Sequence, residues 1–118
     1  MIQRCTVTDW LPSMSANGSH GHWKPKQNQH DTDMQTVYGA ALFAKWKPIA
    51  SRARLSITLV FPQRRRRDTD NLHYRVKGVI DGIKPFVVDD DTEHLDLVVR
   101  AETRPGVKAV ELVLEALE

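Results

Sequence analysis

Cysteine is almost absent from this sequence. Cys5 stands alone, so no internal disulfide can staple the chain, and a reducing compartment is expected. It falls among β-branched and polar residues and reads as a small buried apolar group. Also missing is any apolar run near the ~20 residues that span a bilayer, and Met1 opens no basic-then-apolar signal segment. The sequence therefore predicts a cytoplasmic protein with no membrane partner. No repeat, heptad pattern or linker divides it. With 118 residues, 41% hydrophobic and 27% charged, residues 1–118 are expected to form one globular domain.

What is present is a charge asymmetry that the net +2 conceals. Residues 1–84 carry 14 Lys/Arg against 6 Asp/Glu, a net +8, while residues 85–118 carry 3 against 9, a net −6. Much of the excess is concentrated in Arg64, Arg65, Arg66, Arg67, Arg75, Lys77 and Lys84. A local patch of this kind attracts a phosphate backbone, although a run of arginines alone is as often a solvated face. The stretch RRRRDTDN, residues 64–71, sets that positive charge directly against Asp68 and Asp70. A site that holds a polyanion beside a metal ion needs both halves.

Hydrophobic patterning predicts an α+β fold, a small mixed sheet of about four strands with two helices. Met1 to Thr8 reads as a short strand. Leu11 to His30, rich in Pro, Ser, Asn, Gly, His and Lys, reads as a long loop. Asp31 to Lys47 reads as a helix, with Asp31, Thr32 and Asp33 as capping candidates and Pro48 as its stop. Arg54 to Phe61 alternates Leu55, Ile57, Leu59 and Phe61 inward and is a half-buried strand. A second helix capped by Thr69 or Asp70 runs to about Ile83, ahead of Pro85. Leu95, Leu97, Val99 and Ala101 alternate in another strand. Arg104-Pro105-Gly106-Val107 suits a type II turn, and Val107 to Leu117 then reads as the hairpin partner of that strand, its final residues being open to a helical alternative.

Winding residues 70–83 as a helix sharpens the picture. Taking Asp70 as zero, Lys77 falls near about −20° and Asp81 near about +20°, at 100° per residue. Leu72, Val76, Val79, Ile80 and Ile83 cover the opposite side. Gly78 and Gly82 lie on the flank between, where another backbone can approach closely. Each glycine costs roughly 1 kcal/mol against alanine in a helix, so a packing benefit is expected. If the strands flanking this helix pair, the Asp68/Asp70 end and the Asp89–Asp91 end can meet at one edge of the sheet. Such a gathering of carboxylates repels itself unless a cation neutralises it, and hard oxygen donors suit Mg²⁺. The same residues also fit a capped helix with solvated charges, Lys77 and Asp81 forming an i,i+4 pair.

RRRRDTDN, then VKGVIDGI, then VVDDDTEHL together resemble the RusA family of Holliday junction resolvases. The family pattern is a basic run, an Asp-x-Asp-Asn element, a helix with a lysine and an aspartate, and an Asp-Asp pair before a strand. The likeness is strongest from Arg64 to about Val99. It implies Asp68, Asp70 and Asp91 as metal-binding catalytic carboxylates, Lys77 as catalytic lysine and Asp90 as a neighbour that also binds metal. In this sequence the lysine follows the Asp-Asn-Leu element at about one helical turn more than is usual, which keeps it on the same face; Arg75 is the alternative. Three consecutive aspartates let Asp90 and Asp91 exchange roles. The resemblance further implies a RusA-like fold, Mg²⁺ with Mn²⁺ able to substitute, a homodimer, and four-way junction DNA as the substrate of paired nicks.

Arg64, Arg65, Arg66, Arg67 and Arg75 are the expected phosphate contacts. In the stretch His20-Gly21-His22-Trp23-Lys24, a His-x-His metal site lacks a third ligand nearby. A DNA-facing role is expected instead, Trp23 stacking on a base or wedging into the junction with Lys24 and Lys26 on phosphates, the alternative being a disordered loop. His73 and His94 adjoin the acidic motifs and are expected either behind the metal ligands or at the surface, while Asn71 either completes the helix cap or orients Asp70 or the metal water. Trp10 and Trp46 are candidates for the core or a dimer interface.

Overall fold

The computed structural model describes residues 1–12, 23–63, 72, 75–87 and 95–117, with the side chains of 23–29 outside that description. In chain order the elements are β1 (Ile2–Thr8), α1 (Trp23–Phe43), β2 (Ala53–Phe61), α2 (Lys77–Ile83) with a 3-10 turn over Lys84–Phe86, β3 (Leu95–Thr103) and β4 (Ala109–Ala116). The four strands form one mixed sheet in the order β1-β4-β2-β3. The α+β class, the four strands and the two helices are as the sequence predicts.

β2 forms because its alternation is clean and one face is fully buried. Leu55, Ile57 and Leu59 are wholly inaccessible and Phe61 nearly so. Their neighbours Leu112, Leu114 and Val110 on β4 and Cys5 on β1 fill the same layer. Val37 and Ala41 of α1 and Val76, Val79 and Ile83 around α2 close the core from above. Each fully buried leucine or isoleucine contributes about 1.5–3 kcal/mol from burial, so these two strands supply much of the stability. Trp46 joins the core, its ring edge-on to Phe86 at 5.8 Å and its Nε1–H donating to the Arg4 carbonyl at 3.1 Å.

Three expectations need correction. First, α1 begins at Trp23, inside the stretch expected to be loop, and it ends at Phe43 instead of Lys47. Pro25 is tolerated because it sits in the first turn, where no intrahelical acceptor awaits its missing N–H. Asp31, Thr32 and Asp33 are therefore interior residues, not caps. The helix stops before Pro48 because Lys45 takes a left-handed conformation, φ 64°. The Trp46 N–H donates to Ala41 O at 3.0 Å and the Lys45 N–H to Leu42 O at 2.9 Å, which is a Schellman closure.

Second, β3 and β4 are not a hairpin. β4 lies between β1 and β2, antiparallel to both, and β3 pairs parallel to β2 at the sheet edge. The turn itself is as predicted: Val107 N–H donates to Arg104 O at 2.9 Å, and Gly106 has φ 75°. It arches over the end of β2, where Arg104 N–H donates to Phe61 O at 3.0 Å. β2, with its wholly buried face, occupies the central place that a direct β3–β4 pairing would deny it.

Third, the parallel register separates the two strand ends expected to share one edge of the sheet. Phe61 pairs with Thr103 and Ala53 with Leu95, so the end of β2 and the start of β3 lie at opposite ends of the sheet. Eight residue steps at 3.3 Å put them about 26 Å apart. They do not meet at one edge.

Candidate functional site

α2 is short and irregular at its start. Val76, with φ −94° and ψ 8°, precedes Lys77 without a side-chain cap, and Val76 N–H donates back to Leu72 O at 3.2 Å. Burial of Val76, Val79 and Ile83 fixes the rotation of the helix. Lys77 consequently stands exposed on the outer side, as winding the sequence predicts.

Asp81 is engaged differently from expectation. Its Oδ1 pairs with Lys84 Nζ at 3.0 Å, one turn on, and its Oδ2 lies 2.6 Å from Nε2 of His30 on α1. The ion pairs of Asp81 among the described residues thus go to Lys84 and His30, not Lys77. Nδ1 of His30 is 3.5 Å from Asp31. His30 is not among the residues singled out by sequence because Leu11 to His30 reads as a loop. The signal was its spacing: residues 30, 33, 37 and 41 continue one helical stripe a turn further toward the N-terminus.

The two helices approach closely at the two glycines. A Cβ on Gly78 would lie 2.7 Å from the Asp33 Cβ and 3.0 Å from the His30 carbonyl oxygen. One on Gly82 would lie 2.7 Å from Met34 O and 3.1 Å from the Val37 Cβ. The close backbone approach expected at these positions is present, and α1 is the neighbour. Beside Gly82 a recess of about 210 Å³ opens between the helices, lined by Met34, Gln35, Tyr38, Asp81 and Pro85.

Arg75 is part-buried at the turn into α2. Its Nε–H donates to the Pro12 carbonyl at 2.7 Å, and its guanidinium lies 5.2 Å from the centre of the Phe61 ring. That arrangement ties the end of β2 to the segment after β1, so a phosphate contact by Arg75 would have to share the guanidinium with both anchors. Trp23, Lys24 and Lys26 lie in the first turns of α1, not in a loop.

Asp68, Asp70, Asp90 and Asp91, with Arg64, Arg65, Arg66, Arg67, Asn71, His73 and His94, lie outside the described residues. Connecting segments, not strand ends, would have to join the carboxylates. Asp68 is seven residues past Phe61 and Asp91 four before Leu95. At about 3.3–3.6 Å per extended residue, that reach exceeds the strand-end separation. The donor set is carboxylate oxygen throughout, which fits Mg²⁺. Among the described residues no group of three His, Cys, Asp or Glu gathers to hold a metal elsewhere, and no helix is long and apolar enough to cross a membrane. Compared with protein-family models and with curated proteins, the chain finds no match.

Proposed function

We propose that this chain is a Mg²⁺-dependent, structure-selective endonuclease that resolves four-way DNA junctions by paired symmetric nicks, as a RusA-like homodimer. The observation that carries the reading is the ordered constellation of a four-arginine run, Asp68-x-Asp70-Asn71, Lys77 and Asp90-Asp91. The exposure of Lys77 at the head of α2 is what that reading requires of a catalytic lysine.

Asp68, Asp70 and Asp91, with Asp90 beside them, would hold the metal. When bound, Mg²⁺ supplies polarisation of the phosphodiester, a lowered pKa for an attacking water and stabilisation of the leaving oxygen. Lys77 offsets charge that develops on the phosphoryl oxygens. Arg64 to Arg67 grip the strand through its phosphates, which gives position without base specificity. One chain carries one such cluster, and two opposed cuts call for a twofold pair.

Single-turnover cleavage of a synthetic junction by Lys77→Ala and Lys77→Arg tests the assignment. Lys77→Ala should lower the cleavage rate about 10²–10³-fold, the scale for loss of one charge-stabilising donor, with junction affinity nearly unchanged. Lys77→Arg should recover part of the rate. A native rate in Lys77→Ala would remove Lys77 from the chemistry.

A further inference from the structure

The outward face of α1 does not look like a face meant for water. Gln35, Tyr38, Gly39, Leu42 and Phe43 follow helical 3-4 spacing and are all exposed. Phe43 is 90% exposed and Leu42 50%, and the stripe contains no charge, whereas a solvent-facing helix surface is normally charged or polar. At its centre Gly39 is unlike Gly78 and Gly82, because a Cβ there would meet nothing within 4 Å. No contact among the described residues requires that glycine, yet it costs the helix roughly 1 kcal/mol. Among the described residues, charge appears beyond the two ends of this stripe, with Asp31 exposed on one side and Lys45 exposed just past the other.

We infer that this face of α1 is the dimer interface, occupied by α1 of a second copy running antiparallel and crossing at Gly39. A twofold axis at Gly39 sets each residue against the one equally far on the other side. Asp31 then approaches the end of the second copy's helix, where Lys45 stands just past the last turn, and by symmetry the contact is made twice. A parallel arrangement would put like charges together at both ends, which disfavours that pairing. Leu42 falls against the second copy's Gln35 and Tyr38, at the mouth of the recess that Met34 and Gly82 also line. Tyr38 is a firm wall for it, its ring centre 5.7 Å from that of Phe86. Gly39 lets the helix backbones approach closely, as Gly78 and Gly82 already do within the chain. The inference deepens the two-chain reading above by naming its interface, but its residues are independent of the nuclease motif.

Sedimentation velocity of the whole chain, without DNA, tests it. The native chain should be a dimer, and Phe43→Glu and Leu42→Glu should each raise the dimer dissociation constant about a hundredfold or more, as for central interface residues. Both side chains are exposed, so thermal melts of concentrated and dilute samples should show the monomer fold intact. Asp31→Lys and Lys45→Glu should each weaken the dimer, and the two together should restore it. A native dimer that survives Phe43→Glu and Leu42→Glu would overturn the interface and leave the two-chain reading standing. A native chain that stays monomeric across the micromolar range would overturn both.

Discussion

Lys45 shows how much of this structure depends on single backbone choices. A lysine in the left-handed region costs about 1–2 kcal/mol that glycine avoids, yet the closure at the end of α1 needs that conformation. Lys45→Gly should therefore stabilise the fold by about 0.5–1 kcal/mol, raising the midpoint in thermal or urea unfolding. An unchanged or lowered midpoint would mean that the closure does not govern the end of α1. Cys5 gives a second test at this scale. Burial pushes its thiol above the ordinary 9.0, so the folded chain keeps that proton to higher pH than the unfolded chain. Its contribution to stability is complete below pH 9 and declines as pH rises through the folded value. A thiol reagent at neutral pH should label Cys5 slowly in the native chain and fast in urea; equal rates would contradict its burial.

At the scale of elements, the meeting of α1 and α2 is where small changes should be felt. Gly82→Ala brings about 1 kcal/mol of helix propensity but sets a Cβ 2.7 Å from the Met34 carbonyl oxygen. Overpacking against backbone costs about 1–3 kcal/mol and wins, so urea unfolding should show a net loss of stability. A neutral or stabilising result would mean that the helices have room to part. The glycine contact was legible in the sequence because both residues interrupt an otherwise well-patterned helix. β2 and β4 were legible as well, since alternation with one buried face has a single register. The start of α1 was not, because WKPKQNQHDTD shows no apolar stripe and contains a proline that only a first turn accepts. Nor was the separation of β3 from β4 legible. A good turn between two strands records local geometry, whereas the insertion of β2 between them is decided by long-range burial.

For the whole molecule, the central matter is the proposal that a basic run and a set of carboxylates work as one site. The residue types and their order were readable from Arg64 to Asp91, and the exposed position of Lys77 agrees with them. The expected shared edge between the end of β2 and the start of β3 fails, because β3 pairs parallel to β2; under the proposed function, any meeting of the carboxylates falls to the connecting segments. Electrostatic capture of a junction should weaken steeply with salt, log affinity falling linearly with log salt concentration. Replacing Arg64 to Arg67 with glutamine should flatten that slope, measured by fluorescence anisotropy at several salt concentrations, and an unaltered slope would remove the run from the DNA contact.

The most direct measurement is cleavage of a labelled four-way junction in Mg²⁺ by the native chain and by Asp70→Asn, with linear duplex as control. The resolvase reading predicts paired, opposed nicks by the native chain alone, with junction binding kept in Asp70→Asn and the duplex left whole. Tight junction binding without nicks, in Mg²⁺ and in Mn²⁺ alike, would contradict it and leave a junction-binding protein whose carboxylates hold structure.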